Sequence, residues 1–256
     1  MTHPETQQII DRVEQTTGYR VTIDVIDGIH ESAQMISARP ESPVHLIRVN
    51  SEQRRYADYI VAVQCGMLLV LWSDPTKVPE LAPDQEKCDY WGKRWSQSKQ
   101  LASLPQGVAL RMASFYLHGL IQQLQSMPLE IRVARFCFEA CPGLRGMQEE
   151  MFTTHLRKLS ELFSPDIRQQ APPEVFDRNV AMNAALAKAC GDLVGSRLPL
   201  IPYEATGYLE RGEQLLAAVD ALPEPTSENH VKAVDSWAVQ LGMGSLFHWQ
   251  FANRIQ

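Results

Sequence analysis

The feature that most constrains this chain is an apolar stretch at residues 56–72, which reads YADYIVAVQCGMLLVLW. Within it, Ile60, Val63 and Met67 recur at the spacing of one helix face, and other apolar residues cover much of the remaining surface. The apolar run is shorter than the ~20 residues needed to cross a bilayer, and Gln64 interrupts it. The stretch therefore predicts a helix buried on nearly all sides and no membrane span.

Two segments with strand periodicity precede this helix. Residues 19–27, YRVTIDVID, alternate apolar and polar side chains, which is the pattern of a half-buried strand. Residues 44–50, VHLIRVN, predict a second strand with Val44 and Leu46 on its buried side. Together the two segments predict a small N-terminal sheet.

Beyond the apolar helix, a proline-containing segment leads into helical periodicity. Residues 73–87 contain three prolines and are predicted to form a loop, because each proline removes a backbone donor and fixes φ. This loop is the predicted boundary between an α+β part at residues 1–75 and a helical part at 84–256, which are either separate or packed as one domain. The predicted fold class is therefore α+β, predominantly helical. Helical periodicity is found at residues 4–16, 84–101, 106–125, 129–140, 144–163, 173–190, 209–221 and 228–241.

Composition narrows the class of protein and of partner. With 45% hydrophobic and 21% charged residues among 256, an ordered globular chain is expected. The net charge of −6 gives no general attraction for nucleic acid or an anionic membrane. The first residues lack a basic region followed by an apolar one, so the protein is expected to stay in the cytoplasm. The five scattered cysteines are expected to be reduced and buried.

The order of a strand, a turn and a buried helix carries a resemblance to a known family. The predicted strand ends in IRVN, residues 47–50, and its last residue or Ser51 is expected to cap the helix that follows. The helix contains AVQCGM at residues 62–67. This pattern resembles the ImmA/IrrE-type zincin-like metallopeptidases, in which a strand ending in Asn leads into a helix reading A-H-E-x-G-H. Ala62 and Gly66 match that frame.

The resemblance places the zinc ligands and the general base at positions that lack their chemistry. Val63 and Met67 stand where two histidines would bind zinc, and Gln64 stands where a glutamate would take a proton from the metal-bound water. Valine has no donor atom, a thioether is a poor zinc ligand, and an amide is not a base at neutral pH. A third ligand is expected from residues 127–144, with Ala134 or one of its neighbours at the inward position. The resemblance therefore implies a degenerate zincin with no catalytic residue, metal or cofactor.

The function implied by this resemblance is binding, in a regulatory role, of a protein partner whose identity the sequence does not give. Active relatives in the family act in regulation by cleaving repressors, and a chain without the catalytic residues would retain recognition alone. The alternative structural interpretation is a plain core helix, with Gly66 for close packing and Gln64 hydrogen-bonded to the backbone. An enzymatic function is the less favoured interpretation of this sequence.

Two other functions stay open at the level of sequence. A metal-dependent hydrolase with atypical ligands would draw on Cys137 and Cys141, four residues apart, together with His118 or His155. A nucleic-acid-associated factor would use residues 89–99, in which tryptophans alternate with lysine and arginine, although nearby acidic residues offset that charge.

Candidate partner-binding residues are aromatic and basic. The tryptophans at 91 and 95 are four apart, so they also fit a helix that docks on the core with its cations in solvent. The arginines could hold an acidic partner or face water. The candidates are Trp91, Arg94, Trp95, Arg132 and Arg135.

Overall fold

The computed structural model describes residues 2–222 and 224–253 and has the predicted class, α+β and predominantly helical. Short 3-10 turns precede several of the helices, and one of them, Ser51–Tyr56, leads into the helix that begins at Ala57. The helices are α1 (Pro4–Thr17), α2 (Ala57–Leu71), α3 (Gln85–Ser96), α4 (Gln106–Ala140), α5 (Arg145–Ser160), α6 (Pro165–Gln170), α7 (Pro173–Val194), α8 (Ile201–Thr206), α9 (Tyr208–Asp220) and α10 (Ser227–Gln240). None of these helices is long and apolar enough to cross a membrane.

The strands form two small sheets. The strands are β1 (Arg20–Ile26), β2 (Ala33–Ile36), β3 (Val44–Asn50), β4 (Val78–Pro83) and β5 (Phe247–Ala252). The first sheet has the order β1-β3-β2, in which β3 pairs in parallel with β1 and antiparallel with β2. The second is an antiparallel pair of β4 and β5, which joins the segment after α2 to the segment after α10.

The bounds of β3 agree with the sequence, but its buried side does not. His45, Ile47 and Val49 are buried, whereas Val44 is exposed and Leu46 is half-buried. The prediction that Val44 and Leu46 face the core was therefore wrong. The alternation rule counts histidine as polar, yet the His45 ring has hydrogen-bonding partners inside the protein, so this histidine lies on the core side.

The loop predicted at residues 73–87 contains β4, so that part of the prediction was also wrong. Pro79 and Pro83 are four residues apart and lie on the same edge of the strand. Asp84, the next residue, points its N–H to the opposite edge and donates it to the Leu246 carbonyl at 2.9 Å. The missing proline N–H groups thus point away from β5, where a strand tolerates proline.

Residues 106–140 form one helix, where the sequence predicted two with a break near Pro128. Proline in a helix interior removes a hydrogen bond and disfavours the helical conformation of the residue before it. The continuous helix α4 is nevertheless covered along its length, because α3 and α7 pack on it, and α2 packs on it as well. Pro128 itself is buried. Tertiary packing overrides the local signal here.

The core consists of two apolar clusters. A helical cluster includes residues of α3, α4, α7, α9 and α10. An N-terminal cluster contains α1, α2 and β3 together with Leu129, Val133 and Cys137 of α4. The C-terminal half of α4, which lies in the predicted helical part, therefore completes the core of the predicted α+β part.

Candidate functional site

The start of α2 is fixed by the last residue of β3. The Asn50 side-chain oxygen accepts a hydrogen bond from the Glu52 N–H at 2.9 Å, as a cap of the 3-10 turn before the helix. The Asn50 amide nitrogen donates to the Ile29 carbonyl at 2.7 Å, which ties the loop after β1 to the same point. The predicted cap at Asn50 is therefore confirmed, although it begins the turn and not α2 itself.

The three positions that the resemblance assigns to the zinc ligands and the base lie on α2. Met67 is only 8% exposed and belongs to the N-terminal cluster, and Val63 is half-buried against the same cluster. Gln64 is half-buried. Of these three side chains, none supplies a nitrogen or thiolate ligand of the kind that zinc prefers. The residues present at this place do not fit a zinc ion.

Contact between α2 and α4 is close at Gly66. A Cβ atom added to Gly66 would lie 2.6 Å from Val133 Cγ1 and 3.7 Å from Phe136 Cδ1, so only glycine allows this approach. Ala134, the position predicted for the third ligand, is buried, and its carbonyl accepts a hydrogen bond from Gln148 at 2.7 Å. Its neighbour Val133 is the residue that meets Gly66.

The cysteines and histidines of the alternative metal site are not brought together. Cys137 and Cys141 are buried in the N-terminal cluster, and burial raises the pKa of both thiols. His118 and His155 are exposed, and His118 Nδ1 lies 2.7 Å from the Ser114 carbonyl of its own helix. Across the ranges that the structure describes, no three His, Cys, Asp or Glu side chains are grouped to hold a metal ion.

Trp91, Arg94 and Trp95 join α3 to α7. Trp95 is 2% exposed, and its indole N–H donates to Glu174 Oε2 at 2.9 Å. Arg94 forms an ion pair with the other oxygen of Glu174 at 2.8 Å, and its guanidinium lies 4.7 Å from the Trp91 ring centre. The guanidinium of Arg178 lies within 6 Å of both indole rings. These contacts are those of a helix docked on the core.

Arg132 and Arg135 bind the end of α9 and the segment after it. Arg132 is 9% exposed and donates to the backbone carbonyls of Val219 and Glu224, both at 3.0 Å. Arg135 forms an ion pair with Asp220. Both guanidinium groups therefore have partners inside the molecule, and their binding of an external partner stays a prediction.

An open groove of about 890 Å³ lies beside the docked tryptophans, between the α3–α4 connection, α6, α7 and the start of α9. Its two carboxylates are already paired, Glu174 as described above and Asp177 with Arg211 at 2.6 Å and the Tyr208 hydroxyl at 3.0 Å. Burial and the bond to Asp177 raise the pKa of Tyr208. The groove is lined by Lys99, Gln100, Arg168, Gln169, Pro173, Glu174, Phe176, Asp177 and Tyr208.

Sequence reasoning missed this groove, although it singled out a segment at its edge. Lys99 belongs to the basic and aromatic segment at residues 89–99 and Gln100 follows it, but the other lining residues lie at positions 168–208. Only the tertiary structure brings these two parts of the chain together.

No protein-family model, no curated protein and no solved structure matches this chain. The zincin-like resemblance therefore stays a prediction that depends on the residues from Asn50 to Met67. The function has to be inferred from the geometry of the molecule itself.

Proposed function

We propose that this protein is a non-catalytic, zincin-like module that binds a protein partner in a regulatory role. The proposal depends on which side chains occupy the positions of α2 where the resemblance would place the zinc ligands and the base. Met67 is buried among apolar residues, Val63 is half-buried against them, and Gln64 offers an amide in place of a carboxylate. Such a helix has neither the metal ligands nor the base of the family it resembles.

The arrangement of elements supports the zincin-like part of the proposal. The strand β3 ends in Asn50, one short turn leads into α2, and a later helix, α4, packs across α2. This is the order that the resemblance implies. The closest approach of the two helices is at Gly66 and Val133, so apolar packing occupies the place where a third ligand would be expected.

The two alternative functions receive less support from the geometry. The thiols proposed as atypical metal ligands are buried, with pKa values raised by burial, which disfavours the thiolate form that binds metal. The aromatic and basic side chains proposed to stack on nucleic acid are engaged with Glu174 of α7. A protein partner is therefore the function that we put forward for test.

The test of the proposal is the metal content of the protein purified without chelator, with thermal melts before and after EDTA and a peptidase assay with added zinc. We expect substoichiometric metal, an unchanged melting temperature and no zinc-dependent cleavage. A Met67→Leu variant, which conserves volume, should leave all three results unchanged. One equivalent of zinc whose removal lowers the melting temperature, or zinc-dependent peptide cleavage, would contradict the proposal.

A further inference from the structure

We propose that the groove between the α3–α4 connection, α6, α7 and α9 is the partner-binding surface and that it takes an acidic peptide segment of the partner. The inference rests on the proposed binding function and names where and through which chemistry it operates. It is carried by the charge left uncompensated in the groove and by the aromatic rings in its lining.

The uncompensated charge of the groove is positive. Glu174 is bound by Arg94 and by the Trp95 indole N–H, and Asp177 is bound by Arg211 and the Tyr208 hydroxyl, so both carboxylates are neutralised locally. Lys99 and Arg168 are exposed, and among the side chains that the structure describes neither forms an ion pair. A cationic groove on a chain of net charge −6 is a local feature that complements carboxylates.

Two half-buried aromatic rings add an apolar contact to this charge. The Phe176 and Tyr208 ring centres are 6.4 Å apart, with an interplanar angle of 77°. The Arg168 guanidinium lies 5.9 Å from the Phe176 ring centre, so the cation and the rings border the same space. An apolar side chain of a peptide would pack on the rings while a neighbouring carboxylate reaches the cation.

The size and polarity of the groove favour a peptide over other acidic ligands. A volume of about 890 Å³ is more than a single side chain fills, and the groove is open, whereas small-molecule sites enclose most of their ligand. The amide side chains of Gln100 and Gln169 offer hydrogen bonds to a peptide backbone. Nucleic acid is disfavoured, because its affinity depends on neutralising many phosphates and this groove has two uncompensated cations.

The experiment measures the fluorescence anisotropy of a labelled peptide in which glutamates alternate with leucine and phenylalanine, titrated with the full chain at low salt. The test variant is Lys99→Gln/Arg168→Gln. The matched control, Arg12→Gln/Lys77→Gln, removes the same charge from exposed positions outside the groove. We expect saturable binding that weakens with salt, a Kd raised about tenfold or more by the groove variant, and a Kd close to wild type for the control.

Three results would overturn the inference. These are the absence of binding to the acidic peptide, equal binding of a peptide with glutamine in place of glutamate, and a Kd that the groove variant leaves unchanged. Displacement of the peptide by a single-stranded oligonucleotide at lower concentration than by unlabelled peptide would also overturn it, in favour of nucleic acid. Because metal content and peptidase activity are measured separately, these results would leave the proposed absence of catalysis standing.

Discussion

His45 is fully buried in β3, and both of its ring nitrogens have partners. Nδ1 lies 3.1 Å from the Ala38 N–H and accepts its hydrogen, so Nε2 carries the ring proton toward Thr17 Oγ1 at 3.0 Å. The rings of Tyr19 and Trp72 contact the imidazole edge-on. Burial lowers the pKa of His45 from 6.5 to about 4. The neutral ring therefore packs against aromatic side chains of the N-terminal cluster.

This burial predicts a loss of stability in mild acid. As the pH falls below 6.5, the unfolded chain takes up a proton on His45 that the folded protein does not bind until about pH 4. The free energy of unfolding should therefore fall across this window, by up to about 3 kcal/mol for a shift of this size. His230, buried and with a pKa also lowered to about 4 by burial, adds a change of the same sign. Urea unfolding at a series of pH values measures this fall in the free energy of unfolding.

The control for this prediction is a comparison of two substitutions. His45→Gln removes one of the rings whose pKa is lowered by burial and should reduce the pH dependence between 6.5 and 4, at some cost in stability at pH 7. Ile47→Val, at a buried position of the same strand with no titratable group, should leave the slope unchanged. A slope that is the same in the wild type and in both variants would contradict the assignment to His45.

At the scale of elements, the contact between α2 and α4 depends on one glycine. The two helices approach so closely at Gly66 that a Cβ atom there would lie 2.6 Å from Val133 Cγ1. Gly119 in α4 differs, because an added Cβ would have no heavy atom within 4 Å. The two helical glycines therefore separate the effect of helix propensity from the effect of packing.

We predict opposite effects of alanine at these two positions. Gly66→Ala should lower the free energy of unfolding by about 1–3 kcal/mol, because it overpacks the helix contact. Gly119→Ala should raise it by about 0.5–1 kcal/mol, because alanine favours the helix. Denaturant unfolding gives both values. Adding Val133→Ala to Gly66→Ala should restore part of the lost free energy of unfolding, because it removes the methyl groups that the new Cβ meets. If the effects of the two substitutions simply add, the contact is looser than described.

At the scale of the whole molecule, α4 connects the two apolar clusters. Its N-terminal half supplies Leu117, Leu120 and Leu124 to the helical cluster, and its C-terminal half supplies Leu129 and Val133 to the N-terminal cluster. A second connection joins the segment after α2 to α10, where the Ser227 N–H donates to Ser73 Oγ at 2.8 Å. Loss of either cluster would expose part of α4.

Because α4 contributes to both apolar clusters, we predict that the chain unfolds in one cooperative transition. Calorimetry should give a single peak whose van't Hoff enthalpy equals the calorimetric enthalpy, and tryptophan fluorescence and circular dichroism should coincide. A fragment of residues 1–75 should not fold alone, because it lacks the α4 side chains that complete its core. Two separated heat-capacity peaks, or a folded 1–75 fragment, would support the division into two domains.

The sequence predicted the elements whose periodicity is local. The buried helix, the bounds of β3 and the predominantly helical class all follow from side-chain spacing over a few turns or a few residues. Where the resemblance would place two zinc ligands and a base, residue type alone excludes imidazole from positions 63 and 67 and a carboxylate from position 64. These features depend on which atoms the residues carry, so no partner element is needed to infer them.

Other features were decided by contacts between distant parts of the chain. β4 exists because β5, more than 160 positions later, pairs with it, and α4 runs through Pro128 because neighbouring helices cover it. β2 was missed because its four residues depend on pairing with β3. The groove combines a cation of the α3–α4 connection with rings of α7 and α9. Thus the sequence by itself determined the local elements and the side chains present at positions 63, 64 and 67. Only the tertiary structure decided which charges remain uncompensated, because each carboxylate's partner lies on another element.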